Sequence, residues 1–195
     1  SELSGFEDQL TLNTHTGCHI DGFGHMGIAG HSYNGVHYRD FYTPNGLSRY
    51  GMESVLPWVT RGVCLDIAAL EGEPMLPGGY AVGTQQLEAA CARQNVEVRR
   101  GDVVLLHTGW GRLWDDDPTL YNADEPGLGW EGAHWLTDRR VTAIGADNWA
   151  LEALPPENPQ APFVVHQHLL TETGTYIIEN ITLSELAETG RAEFL

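Results

Sequence analysis

The sequence predicts a single α/β domain built on a mixed sheet, and three observations carry that expectation. Short apolar runs alternate with stretches of helical periodicity, the order shared by layered α/β folds. The 195 residues, 42% of them hydrophobic and six of them Trp, suffice for one core and are marginal for two. No internal repeat or low-complexity tract divides them, so 1–195 reads as one domain. The chain begins at Ser1 without Met, which leaves room for an upstream segment.

The elements follow in order. Five glycines between 17 and 30 disfavour a helix there and permit a strand or bent ribbon. A stretch rich in Gly, Tyr, Asn and Pro then runs as loop to about Pro57 and is expected to wall a site. Residues 63–69 read as a buried strand. Thr84 can cap a helix through Val96 whose Leu87, Ala90 and Cys91 have core-facing spacing. Gly101-Asp102 turns the chain into a second strand, 103–107. A glycine-tryptophan segment, 108–114, and an acidic turn, Asp115-Asp116-Asp117-Pro118, lead to a helix over about 130–139. A short strand, 141–145, ends in Ala146-Asp147-Asn148-Trp149. Pro155, Pro156, Pro159 and Pro162 break the chain again. A helix near 164–171, a strand near 175–181 and a closing helix complete it, and Thr182 and Glu185 have capping-box spacing for the last.

Acidic side chains outnumber basic ones 27 to 10, and the net charge of -17 would repel a phosphate backbone, so nucleic acid is excluded as a partner. The charge is scattered, with 115–117 its one tight block, so no acidic tail is indicated. The three cysteines, Cys18, Cys64 and Cys91, form no CxxC pair, which argues against a disulfide framework and for a reducing, cytoplasmic setting. No apolar run approaches the roughly 20 residues that cross a bilayer, so no membrane association is expected.

Chemistry concentrates in His15-Thr16-Gly17-Cys18-His19-Ile20-Asp21-Gly22-Phe23-Gly24-His25. Imidazole and carboxylate together suit zinc or a neighbouring divalent ion such as manganese. The four groups occupy odd positions and share one face of an extended segment, whereas a helix would separate them. Fully extended, the run would reach about 33 Å, so it must curl for its side chains to meet at one ion. His19 and Asp21 are expected to grip from neighbouring same-face positions, with His15 brought back by a bend at Gly17. A glycine-rich surface loop with histidines in water would account for one of these groups better than for four. Cys18, at an even position, points to the other face and reads as packing.

The distant candidates are His166, His168 and Glu179. Glu179 interrupts the apolar run Tyr176-Ile177-Ile178-Glu179-Asn180-Ile181, where a buried carboxylate needs a cation or a hydrogen-bond partner. An edge-strand glutamate facing water is the rival reading, and for His166, beside Leu169 and Leu170, a satisfied half-buried histidine. Asp147 reads as a strand-end turn residue in preference to an acceptor for a ligating imidazole. His31, His37, His107 and His134 lack ligand-like company, and 115–117 lacks the spacing of a calcium loop. Tyr33, Tyr38, Phe41 and Tyr42 suit an aromatic substrate pocket or simply core filling. No Gly-x-Ser-x-Gly elbow, phosphate loop or dinucleotide fingerprint is present.

These residues resemble the cyclase family of metal-dependent hydrolases, which includes bacterial kynurenine formamidase and isatin hydrolase. The His15 to His25 run resembles that family's His-x-Gly-Thr-His-x-Asp-x-Pro-x-His signature. The likeness continues through Tyr33-Asn34-Gly35, Arg61-Gly62-Val63-Cys64-Leu65-Asp66, Gly101-Asp102-Val103-Val104-Leu105, Thr108-Gly109-Trp110 and Ile178-Glu179-Asn180. It implies His15, His19 and Asp21 as metal ligands, Asp21 bridging to a second ion held by His166 and Glu179, and His25 as proton donor and acceptor. It also implies a swivelling β/β/α fold, homodimers or homotetramers, and one or two zinc or manganese ions per chain. The implied activity is hydrolysis of an amide, a formamide or cyclic amide of a small molecule, aromatic or not, by metal-activated water. This is arylformamidase-like cleavage of a non-peptide C–N bond, as in tryptophan catabolism. Lactone or cyclic-ester hydrolysis, and a non-catalytic protein with a structural metal, are the rival readings. The chain departs from the family pattern at Cys18, in place of Thr, and at Gly24, in place of Pro. Its N-terminal strand and substrate-contacting aromatic are absent or very short, and its His166 to Glu179 interval is one residue longer than in typical formamidases, a change left to a loop.

Overall fold

A computed structural model describes residues 4–195. Its central sheet contains β1 (His19–Asp21), β2 (Gly62–Asp66), β3 (Val103–His107), β4 (Ala143–Ala146), β5 (Tyr176–Glu179) and β6 (Glu193–Phe194), in the spatial order β1-β5-β4-β3-β2-β6. The four inner strands are parallel, and the edge strands β1 and β6 run antiparallel to their neighbours. Parallel neighbours need long crossovers, and these carry the helices α1 (Ile67–Glu71), α2 (Thr84–Gln94), α3 (Trp130–Asp138) and α4 (Val164–His166). The last runs directly into a π-helix, Gln167–Thr173. The short helix α5 (Ser184–Glu188) precedes β6. The mixed α/β architecture is thus the one expected.

Alternate strand residues build the core. Val63, Leu65, Val104, Leu106, Ile144, Ala146 and Ile177 are buried in one cluster with Leu87, Ala90, Leu136, Leu169 and Leu170 from the helices. Each large side chain so buried contributes about 1.5–3 kcal/mol. Because strand side chains alternate, Glu179 shares the buried face with Ile177. The hydrophobic pattern that seats β5 therefore also drives a carboxylate inside.

Several boundaries differ from expectation for local reasons. The apolar run 63–69 is a strand only to Asp66, whose Oδ1 accepts the Ala69 amide at 3.0 Å and starts α1. A buried strand and a short buried helix look alike in hydrophobicity, and the cap decides between them. Gly83, not Thr84, caps α2, with the Gln86 side chain accepting the Gly83 amide at 3.1 Å, and the left-handed Asn95 ends that helix short of Val96. The capping box of Thr182 and Glu185 does not form, since Leu183 is the N-cap and no side chain bonds there.

The segment toward Pro57 holds two short hairpins, pairing His31–Ser32 with Val36–His37 and Tyr42–Thr43 with Gly46–Leu47. Phe41 is buried and Tyr33 packs on Phe23 at 5.0 Å, while Tyr38 and Tyr42 are exposed. This aromatic group thus divides between core and solvent. Among the described residues no helix is long and apolar enough to cross a membrane.

Candidate metal centre

The antiparallel register of β1 against β5 sets His19 opposite Glu179 and Asp21 opposite Ile177. His19 Nε2 consequently lies 3.1 Å from Glu179 Oε2 and 3.4 Å from Asp21 Oδ1. Gly17, with φ of +68°, reverses the preceding segment. That bend returns His15, placing its Nδ1 3.0 Å from His19 Nε2 and 3.1 Å from Asp21 Oδ1. Beyond β1 the His25 amide donates to Gly22 O at 3.0 Å. A Cβ on Gly24 would lie 2.5 Å from Leu47 Cδ1, so this turn admits no side chain there without moving Leu47. The turn carries His25 Nε2 to 3.8 Å from Asp21 Oδ2. His166, on α4, places Nε2 3.2 Å from Glu179 Oε1 and 3.8 Å from Asp21 Oδ2.

Two groups of ligand atoms result. His15, His19, Asp21 and Glu179 offer atoms within 4.8 Å of one another, as do Asp21, His25 and His166, and Asp21 belongs to both. Asp21 is 1% exposed, and neither of its carboxylate oxygens has a hydrogen-bond partner. A buried carboxylate that accepts no hydrogen bond and has only imidazoles within ion-pair distance costs several kcal/mol while those rings are neutral, which a bound cation would recover. Imidazole nitrogens and carboxylate oxygens without thiolate suit a first-row divalent ion. The residues therefore fit such a cation. His15, His25, His166 and Glu179 of the centre line a cavity of about 540 Å³ whose wall also includes Met26, Trp114, Tyr121, Trp149 and Phe163.

A family model described as putative cyclase matches residues 2–153, more than half of the sequence. The chain belongs to the cyclase family. A crystal structure of a novel cyclase superposes with a TM-score of 0.87 at 31% identity, covering 100% of this chain and 65% of that one. An isatin hydrolase bound to the product analogue thioisatinate gives a TM-score of 0.65 at 17% identity over 90% of this chain and 62% of the other. Isatin hydrolase A from Labrenzia aggregata, bound to benzyl benzoate, gives 0.63 at 20% identity, with coverages of 88% and 62%. At those identities the isatin hydrolases show a common fold. The chain spans 65% of the novel cyclase's length and 62% of each isatin hydrolase's. No curated protein matches the sequence.

In this cyclase-family chain two buried glutamates escaped the sequence reading. Glu152 Oε1 accepts both the His166 Nδ1 proton, at 2.6 Å, and the His166 amide, at 3.1 Å. That bond holds Nδ1 as the donor and turns Nε2 toward Asp21 and Glu179. Burial opposes charge on His166, but the Glu152 and Glu179 carboxylates outweigh it and push its pKa up to about 9. Glu125 accepts the Trp149 and Ala150 amides at 2.9 Å each, and burial pushes its pKa to about 9 against those bonds. Burial likewise raises the Glu179 carboxyl, with the His166 bond opposing. His25 is lowered, chiefly by burial, with Asp21 opposing and the neighbouring imidazoles assisting. The signal for Glu152 was available, a carboxylate inside Ala150-Leu151-Glu152-Ala153-Leu154, the pattern that singled out Glu179. Glu152→Gln is expected to weaken metal affinity by about 10–100-fold, measured by competition with a chelator of known affinity.

Other candidates stand apart from the centre. His168 uses both nitrogens elsewhere, Nδ1 at 2.8 Å from Glu172 Oε2 and Nε2 at 3.0 Å from Thr137 Oγ1, and it stacks on His134 at 3.9 Å. Asp147 serves the turn, accepting the Thr108 amide at 2.9 Å and hydroxyl at 2.6 Å and the Gly109 amide at 2.9 Å. Cys18 is exposed, so it does not pack as expected, because β1 lies at the sheet edge with its outer face uncovered there. His107 bonds Asp66 at 2.8 Å, and Asp115, Asp116 and Asp117 are exposed.

Proposed function

We propose that the chain is a metal-dependent hydrolase that cleaves a formamide or cyclic amide of a small molecule. The observation that carries this reading is the buried Asp21 carboxylate, which accepts no hydrogen bond, gathered with His15, His19 and Glu179 beside a cavity that His15, His25, His166 and Glu179 line. Family membership supports it, as does the fold shared with isatin hydrolases, since isatin is a cyclic amide. A solved potential metal-dependent hydrolase with cyclase activity also shares the fold, with a TM-score of 0.57 at 17% identity.

His15, His19, Asp21 and Glu179 would hold one zinc or manganese ion, and Asp21 with His166 a second. When bound, such an ion supplies Lewis acidity toward a carbonyl and lowers the pKa of water toward neutrality. Glu152 orients His166, and His19 keeps its Nε2 inward because Nδ1 donates to Gly17 O at 2.8 Å. His25 lines the cavity with its pKa lowered, so it is neutral near pH 7 and able to take a proton. Returning that proton to nitrogen is the help an amine leaving group needs, and an ester oxygen needs less of it. This division favours the amide over a lactone.

The test is reconstitution. Protein stripped by a chelator and reloaded with zinc or manganese is assayed on N-formylkynurenine, isatin, simple cyclic amides and lactones, with metal per chain measured by elemental analysis. Turnover of at least one amide is expected, falling more than about 100-fold on chelation and returning on reloading. Stoichiometric metal without turnover of any amide would leave only a structural role, and turnover of lactones alone would move the reading to esters.

A further inference from the structure

The cavity beside the metal centre has a second hollow next to it, and Asn180 lines both. This hollow of about 450 Å³ shares Gly17, Trp114, Tyr121 and Asn180 with the cavity as common wall, and the pair is termed the trough. Its near half carries the imidazoles and Glu179, and its far half carries Arg112, the only arginine lining either part. The chain contains no lysine, so arginine supplies every strong cation outside the N-terminus.

Arg112 has been left without a partner in a chain of net charge -17. Among the described residues its guanidinium makes no ion pair and no side-chain hydrogen bond. Arg61 pairs with Asp102 and Glu193, and Arg99 with Glu97. Arg49, Arg100, Arg140 and Arg191 are unpaired among the described residues as Arg112 is, and Arg112 is itself exposed, but of these five only Arg112 lines the hollow. The backbone beneath Arg112 is nevertheless tied down. Asp147, 2% exposed, accepts the Thr108 and Gly109 amides at 2.9 Å and the Gly111 amide at 3.4 Å. Trp110, also buried, donates its indole N–H to Tyr121 O at 3.2 Å. A fixed backbone under a free guanidinium lowers the ordering cost of binding an anion.

We propose that Arg112 positions the substrate by pairing with a carboxylate on it, so that the substrate is an amide bearing an anionic arm. The reacting carbonyl would then lie at the Asp21 and Glu179 end, with the apolar body against Trp114 and the carboxylate at the far end. A guanidinium suits this role because it donates two parallel bonds to a carboxylate. Asp115 lines the same far half and opposes the anion there, which limits the gain. The inference rests on the hydrolase reading for the chemistry, but not for the binding.

The experiment separates the two. Binding of phenylacetate, 3-phenylpropionate and 4-phenylbutyrate to the metal-loaded protein is compared with that of their primary amides by calorimetry, in wild type, Arg112→Gln, Arg112→Lys and Asp115→Asn. For at least one chain length Arg112→Gln is expected to weaken the carboxylate about tenfold while shifting the amide less than about twofold. Arg112→Lys should restore part of that loss, and Asp115→Asn should tighten the carboxylate. Carboxylate affinities that Arg112→Gln leaves unmoved, or equal losses for carboxylate and amide, would overturn the proposal. Turnover is compared between an anionic anilide, para-formamidophenylacetate, and neutral formanilide. Arg112→Gln should raise KM for the anionic anilide about tenfold relative to the neutral one, with little change in the ratio of their kcat values. A parallel fall in kcat for both would show a structural role instead and would also overturn it. If wild type hydrolyses neither compound, calorimetry alone decides the role of Arg112, and the hydrolase reading is decided by the reconstitution assay on the wider set of amides.

Discussion

Asp21→Asn is expected to abolish tight divalent-metal binding and, at the same time, to raise the melting temperature of the metal-free protein. The first effect follows from position, because Asp21 is the residue common to both groups of candidate ligands. Loss of a charged oxygen ligand from such a set should weaken binding by more than about 100-fold. The second follows from cost. Asp21 is 1% exposed, its two oxygens have no hydrogen-bond partner, and Glu179 is a second buried carboxylate in the same group. Removing a buried charge in that setting should stabilise the metal-free fold by about 1–3 kcal/mol. At this chain length each kcal/mol corresponds to roughly 2–4 °C. Thermal melts with and without zinc, together with metal analysis, read both effects. A variant that loses metal and also melts lower when metal-free would show that the fold already satisfies the carboxylate, which would remove the reason to infer a cation.

His25→Ala is expected to do the opposite, keeping the metal and losing turnover by about 10²–10⁴-fold. His25 lies outside the group of four, on a turn after β1, with Nε2 3.8 Å from Asp21 Oδ2 and its ring on the cavity wall. Its lowered pKa keeps it neutral, and so free to accept a proton, near pH 7. The loss should be smaller for an activated aryl ester than for an anilide, because the ester's leaving group needs no proton. Metal content per chain, kcat on both substrates and the melting temperature together decide the matter. Loss of metal in parallel with activity would make His25 a ligand, and unchanged turnover would remove it from the chemistry.

The centre was legible where its geometry is local. His19 and Asp21 share a face by strand alternation, and the bend that returns His15 is marked by Gly17. Glu179 was legible because a carboxylate in an apolar strand has few acceptable environments, and it is indeed buried. His166 was preferred to His168 through the family resemblance alone, since both are buried on one helical segment and only their partners tell them apart. Glu125 gave no usable signal, because the groups it serves, the Trp149 and Ala150 amides, lie far along the chain. The order of the inner strands was illegible for a related reason. Parallel pairing is set by crossovers and helix packing, and apolar strands such as 103–107 and 143–146 carry no local mark of which neighbour they take.

The π-helix Gln167–Thr173 alters how chain length between two functional side chains should be counted. A π turn encloses one more residue than an α turn between its bonded groups. The extra residue that the family resemblance implies between His166 and Glu179, expected in a connecting loop, can therefore be taken up inside the helix while the two side chains stay 3.2 Å apart. An insertion can thus enter a protein as a widened coil without displacing either end. Equal spacing along the chain is then a poor criterion of correspondence between two relatives, and aligning on the interval alone would set Gln167 where the histidine belongs.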